Sequence, residues 1–139
     1  MRVKLDEGAF EPVHAHREDA GVDLRTPKEF IVQPHDSHVI DTGVHVDLPV
    51  GTYGKIESKS GLNVKHGIVS LGGVIDSGYT GSIVVKIYNM SDEEYHFRAG
   101  DKVAQMIIQP CVVVNSIIVV DEIIKETDRG CQGFGSSGR

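Results

Sequence analysis

Apolar and polar residues alternate with a period of two over short stretches of the chain, and turn-forming residues break the pattern every few positions. In residues 43–48, Val44, Val46 and Leu48 alternate with His45 and Asp47, which predicts a strand with one wet face. In residues 81–88, Ile83, Val85 and Ile87 alternate with Ser82, Val84, Lys86 and Tyr88 in the same way. Residues 30–32, 38–40, 53–57 and 68–70 read as further short strands, punctuated by Pro27, Pro34, Pro49, Pro110 and the glycine joints at 72–73 and 78–81. A helical period is nearly absent. Ser60–His66 is the one short helix predicted, with a serine available to cap it. Residues 112–120 are apolar apart from Asn115 and Ser116, so this stretch predicts a strand covered on both faces, by its own domain or, as we favour, by another subunit.

The choice of aliphatic residues sharpens this picture: the chain has 19 Val and 13 Ile but 5 Leu and 5 Ala. β-Branched side chains suit a pleated, half-buried surface, so the expected class is all-β, a sandwich, jelly roll or barrel. A single domain of 139 residues can bury a sufficient core without disulfides or a structural metal. Cys111 opens an apolar run and reads as a buried thiol, and Cys131 lies in a glycine-rich tail. With no CxxC between them, neither zinc nor a disulfide is expected. The formal charge of −6 opposes general nucleic-acid binding, and any anionic ligand must be met by a local cluster or a metal. No apolar run is long enough to span a membrane, and charges occupy the first ten residues where a signal peptide would be apolar; a soluble, cytoplasmic protein is expected.

The motifs of several common enzyme classes are missing: there is no GxxxxGK[ST], GxGxxG after a strand, HExxH or GxSxG. His14 and His16 could share a strand face, but without a third ligand they read as solvated. Three clusters are more informative. Residues 125–139 read KETDRGCQGFGSSGR: glycines that allow close approach, hydroxyls and Arg129 suited to phosphate, and Phe134 able to stack on a base. Residues 57–62 set Ser58, Lys59, Ser60 and Gly61 at the start of the predicted helix, where an anion is favoured. Residues 73–81 place Asp76 at the end of an apolar strand, with Tyr79 three residues on in a glycine-framed turn. The segments AGVDL at 20–24 and GDKVAQ at 100–105 complete the set, with Asp101 reading as a turn residue.

These five pieces, in this order, resemble the five motifs of the trimeric deoxyuridine triphosphate pyrophosphatases, from Ala20 to Gly138. The resemblance implies a β jelly roll or distorted barrel over residues 1–124, a flexible glycine-rich arm over 125–139, and a homotrimer whose active sites are shared between subunits. It implies water attack on the α-phosphorus of dUTP, giving dUMP and pyrophosphate, which limits uracil incorporation into DNA and supplies dUMP for thymidylate synthesis. Asp76 would be the general base. Tyr79 would pack against the deoxyribose and exclude a 2′-hydroxyl. Main-chain groups of a hairpin around residues 70–75, including Val74 and Ile75, would read the uracil. Lys59, Ser60, Gly61 and Gln105 match phosphate-contacting positions, and Asp23 matches a carboxylate linked through water to Mg²⁺. In the arm, Phe134 would cover the uracil while Arg129, Gly135, Ser136 and Ser137 hold the end of the triphosphate.

Three positions depart from the family pattern. Lys59 stands for the more usual Arg and loses its planar fork, Gly78 for a second Asp, and Gln132 for a Gly. The competing readings are a dCTP deaminase-like enzyme on a related fold and a regulatory or binding protein on the same scaffold.

Overall fold

The computed structural model describes residues 1–123 together with Thr127 and Gly130. The chain forms β1 (Arg2–Leu5), β2 (Gly21–Arg25), β3 (Phe30–Val32), β4 (Ser37–Asp41), β5 (Val44–Asp47) and β6 (Thr52–Glu57), then α1 (Ser60–His66). After it come β7 (Ile68–Ser70), β8 (Val74–Asp76), β9 (Val84–Asn89), β10 (Tyr95–Phe97) and β11 (Lys102–Pro110). All the pairings are antiparallel. They make a four-stranded sheet in the order β2-β11-β6-β8, a three-stranded sheet β4-β9-β7, and two ribbons, β1-β5 and β10-β3. This is the β-rich architecture the aliphatic choice implied.

The alternating runs place their apolar residues as the period requires. Val44, Val46 and Leu48 are buried on and just after β5, and Ile83, Val85 and Ile87 have no exposed surface at all, while Val84 and Lys86 between them face outward. Leu24, Phe97, Val103 and Met106 close the core from the other strands. β11 was the longest element the pattern missed. Its core face (Val103, Ala104, Met106) is interrupted by a shift of register between Lys102 and Ala104, which breaks the strict alternation that a sequence window detects. β1, β2 and β10 were also missed: each alternates, but over only three to five residues, too short for the period to stand out.

Four expectations are corrected. The helix has the predicted bounds, but Lys59 is its N-cap, in an extended conformation, and no side chain caps it. Gly67 ends it in the left-handed region at φ 66°, where its N–H reaches Asn63 O. Cys111 is exposed, one residue past the end of β11, with its N–H bonded to Gly51 O at 2.8 Å. The apolar run is not a core strand of this chain: residues 112–120 form no strand, with Val112, Ile117 and Val119 at 92%, 86% and 93% exposure. The segment into Asp76 is not a hairpin either. β7 pairs with β9 and β8 with β6, so residues 71–73 carry the chain from one sheet to the other.

Candidate functional site

The residues singled out from sequence fall into two groups, at different places on the four-stranded sheet. The first lies at one end of β2-β11-β6. Register places Gln105 between Asp23 and Glu57, so the AGVDL and GDKVAQ segments meet across one ladder and the Ser58-Lys59-Ser60-Gly61 turn continues from it. The Gln105 amide donates to Ser58 O at 3.1 Å, and its side chain lies over Gly21, where a Cβ would fall 2.7 Å from Oε1. Ser58 Oγ accepts from Ser70 N at 2.8 Å, which ties this turn to the start of the 71–73 crossover.

Asp23 is the charged centre of this group. Its side chain is 2% exposed, with Lys59 Nζ 2.5 Å from Oδ1 and Lys102 Nζ 2.6 Å from Oδ2. Burial pushes the carboxyl up, but the hydrogen bonds and charges of Lys102 and Lys59 outweigh it and hold the group below the usual carboxylate range. Although its ammonium lies close, Lys102 is poorly directed at Oδ2, which has no well-aligned donor among the described residues. Sequence reasoning missed Lys102 as a partner of Asp23. No sequence signal marks it: only the register, which sets Lys102 opposite Arg25, two residues from Asp23 on β2, brings the two together. Beside the pair lies a cleft of about 420 Å³ lined in part by Arg25, Lys59, Gly61, Tyr95, Phe97 and Lys102. It carries three cations, of which Lys59 and Lys102 are paired with Asp23, and one carboxylate, Asp101.

The second group is on the opposite edge. Asp76 ends β8, exposed, opposite Tyr53 at the other end of β6; Ile75 beside it is buried and Val74 is 63% exposed. Tyr79 N donates to Asp76 O at 3.0 Å, closing a turn. The Tyr79 hydroxyl donates to Ser82 O at 2.9 Å, and the ring occupies the space above Gly81, where a Cβ would fall 2.5 Å from Cζ. Tyr53 and Glu57 are four residues apart on β6, about 13 Å at strand rise. One chain therefore does not bring Asp76 and Tyr79 together with Lys59, Ser60 and Gln105. Arg129, Phe134, Gly135, Ser136 and Ser137, like Cys131 and Gln132, lie outside the described residues.

The sequence profile of the dUTPase family matches residues 10–138, which contain both groups. This chain belongs to the dUTPase family. It is 40% identical to the deoxyuridine 5′-triphosphate nucleotidohydrolase of Clostridium novyi, over 97% of this chain and 95% of that one. It is 37% identical to the enzyme of the same name from Eremothecium gossypii, over 99% and 90%. The dUTPase of Staphylococcus bacteriophage 80alpha, solved with dUPNHPP, superposes with a TM-score of 0.90 at 30% identity over 99% of this chain and 98% of that one. A point mutant of the dUTPase from phage phi11 of S. aureus, described as coordinating a structural Mg(II) ion, superposes with a TM-score of 0.78 at 29% identity over 87% and 96%.

Among the described residues, no three His, Cys, Asp or Glu side chains converge on a metal position. Asp23, engaged by two ammonium groups, does not fit a resident ion as it stands. Nor is any described helix long and apolar enough to cross a membrane.

Proposed function

We propose that this dUTPase-family chain hydrolyses dUTP to dUMP and pyrophosphate, in sites assembled from more than one copy of the chain. The relatives reported above are nucleotidohydrolases, which favours hydrolysis over deamination and over a purely regulatory role. The observation that supports a composite site is the separation along β6. A general base and the groups that hold the phosphates must meet within a few ångströms of one α-phosphate, and on one chain they lie at opposite ends of a strand. The exposed apolar residues 112–120, which continue outward from β11, supply surface for holding a second copy in a homotrimer.

In this reading Asp76 accepts the proton of the attacking water. Tyr79, seated on Gly81, packs against the deoxyribose, and the backbone of residues 70–75 reads the uracil edge. From the neighbouring copy, Lys59, Ser60, Gly61 and Gln105 stabilise charge on the phosphates as the pyrophosphate leaves. Residues 125–139 close over the nucleotide as an arm, with Phe134 on the base and Arg129, Ser136 and Ser137 on the phosphates. Mg²⁺ enters as part of the substrate, chelated by the triphosphate. Lys59 is both a partner of Asp23 and a phosphate-contacting position, so turning to the phosphates would free one Asp23 oxygen toward water on that ion.

The test is pyrophosphate release with dUTP, UTP, dCTP and dTTP, with and without Mg²⁺, on the wild-type and Asp76→Asn proteins. The expected result is selective, Mg²⁺-dependent cleavage of dUTP, lost by at least about a hundredfold in the variant with nucleotide binding retained. Ammonia release from dCTP, or near-normal turnover without the Asp76 carboxylate, would overturn the reading.

A further inference from the structure

We propose that His45 is a positioning residue for the turn that carries Asp76 and Tyr79, clasping it as an imidazolium to the N-terminal strand. His45 lies on β5, more than thirty residues from that turn in sequence.

The ring joins two segments. Its Nδ1 lies 2.9 Å from Thr80 O, the residue after Tyr79, and its Nε2 lies 3.0 Å from Asp6 Oδ2, just beyond β1. Only 18% of the side chain is exposed. A backbone carbonyl can only accept a hydrogen bond, and so can an ionised carboxylate. A neutral imidazole has one N–H and can satisfy one of these partners; only the imidazolium donates to both. Asp6 is in turn fixed, its N–H bonded to Gly43 O at 2.9 Å.

The charged surroundings agree with a protonated ring. The Thr80 carbonyl and then Asp6 push the His45 pKa up, against burial and Lys4, and His45 and Lys4 hold Asp6 below the usual carboxylate range. Lys4 Nζ stands 3.2 Å from the other Asp6 oxygen, the Arg2–Asp47 ion pair flanks the ring along β1 and β5, and Asp41 on β4 is bound by Ser82 and Gly43 N. The group is thus raised in the folded chain: the clasp is complete at low pH and is lost as pH rises through the folded value, above the ordinary histidine range.

Beyond the clasp, the turn is held from Ser82 onward, Ser82 Oγ donating to Asp41 Oδ1. Ile83 N donates to Val44 O at 2.8 Å and Thr42 Oγ1 to Ile83 O at 2.7 Å. Residues 79–81 are nearer the chemistry, and among the described residues His45 is the side chain that reaches their backbone from the body of the fold. Loosening Thr80 lets the turn shift, and with it the Tyr79 ring, whose hydroxyl is bonded within the same turn to Ser82 O, so the property that should fail is sugar discrimination. This step rests on the reading of Tyr79 given above.

The experiment measures kcat/KM for dUTP and for UTP between pH 6 and 9, alongside the NMR titration of the His45 ring. In the wild type the dUTP-to-UTP ratio should be highest at pH 6 and fall along the His45 titration. His45→Leu should lower the ratio about tenfold at pH 6 and remove its pH dependence, one charge-assisted hydrogen bond being the scale of the loss. His45→Asn keeps a donor for Thr80 O and should restore most of the ratio without the pH step. Asp6→Asn, an exposed change that does not depend on His45→Leu folding, should move both the ring titration and the fall in the ratio to lower pH. A ratio that stays constant through the His45 titration, an undiminished ratio in His45→Leu, or an unmoved titration in Asp6→Asn would overturn the proposal. Failure of the underlying reading looks different: the wild type itself would not discriminate against UTP at pH 6.

Discussion

At the scale of single residues, Gly81 shows how an absent side chain can carry specificity. Its missing Cβ leaves room for the Tyr79 ring, whose hydroxyl is bonded to Ser82 O. Gly81→Ala should displace that ring without unfolding the chain, because Tyr79 is 43% exposed and can turn into solvent. The expected outcome is a loss of about tenfold in the kcat/KM ratio of dUTP over UTP, with the thermal midpoint nearly unchanged. An unaltered ratio would remove Tyr79 from sugar recognition. The residue types of the site were legible in sequence: Asp76, Tyr79, Lys59, Ser60 and Gln105 stand in motifs, and the chemistry each supplies follows from its functional group. Their partners were not. Lys102 on Asp23, Ser58 on Ser70 and His45 on Thr80 are contacts between positions 12 to 79 residues apart, and no local pattern reports them.

At the scale of elements, Asp23 fastens three pieces of the chain. It lies on β2, Lys102 opens β11, and Lys59 caps α1. Because its carboxyl is held below the usual range, its contribution to stability is present above the unfolded value and is lost as pH falls through the folded one. Asp23→Asn leaves two ammonium groups facing a neutral amide in a buried position. Equilibrium urea unfolding at pH 7 should show a loss of about 3 kcal/mol, near the lower end for a broken buried pair because both lysines reach solvent. The same measurement at pH 3, below the ordinary aspartate value, should show a smaller difference, and an equal difference at both values would remove the ion pairs as its cause. Strands with clean alternation, such as β5 and β9, were legible. β11 was not, because a register shift and partners on both sides set its pattern. The helix was legible in extent, its bounds following from Ser60 to the glycine stop at 67, but its cap was not, since an extended Lys59 stands at the position expected of a serine.

At the scale of the whole molecule, the two halves of the chemistry lie about 13 Å apart along β6, and a run of Val and Ile stands exposed. If each site takes Asp76 from one copy and Lys59 from another, two inactive proteins should complement each other. Asp76→Asn and Lys59→Ala, each nearly inactive alone, should after co-refolding at equal amounts recover about a quarter of wild-type pyrophosphate release, since a randomly assembled site draws both intact residues that often. No recovery in trimers shown to be mixed would place both residues in one subunit's site. The amino-acid sequence by itself determined the β class, through the excess of Val and Ile over Leu and Ala, and the inventory of reactive groups, because both depend on residue type and short-range order. Only the tertiary structure decided which groups meet. Strand pairing joins residues by register across long loops, so it placed Asp23 between two lysines, set Asp76 at the far end of β6, and left the valines and isoleucines of residues 112–120 more than half exposed among the described residues.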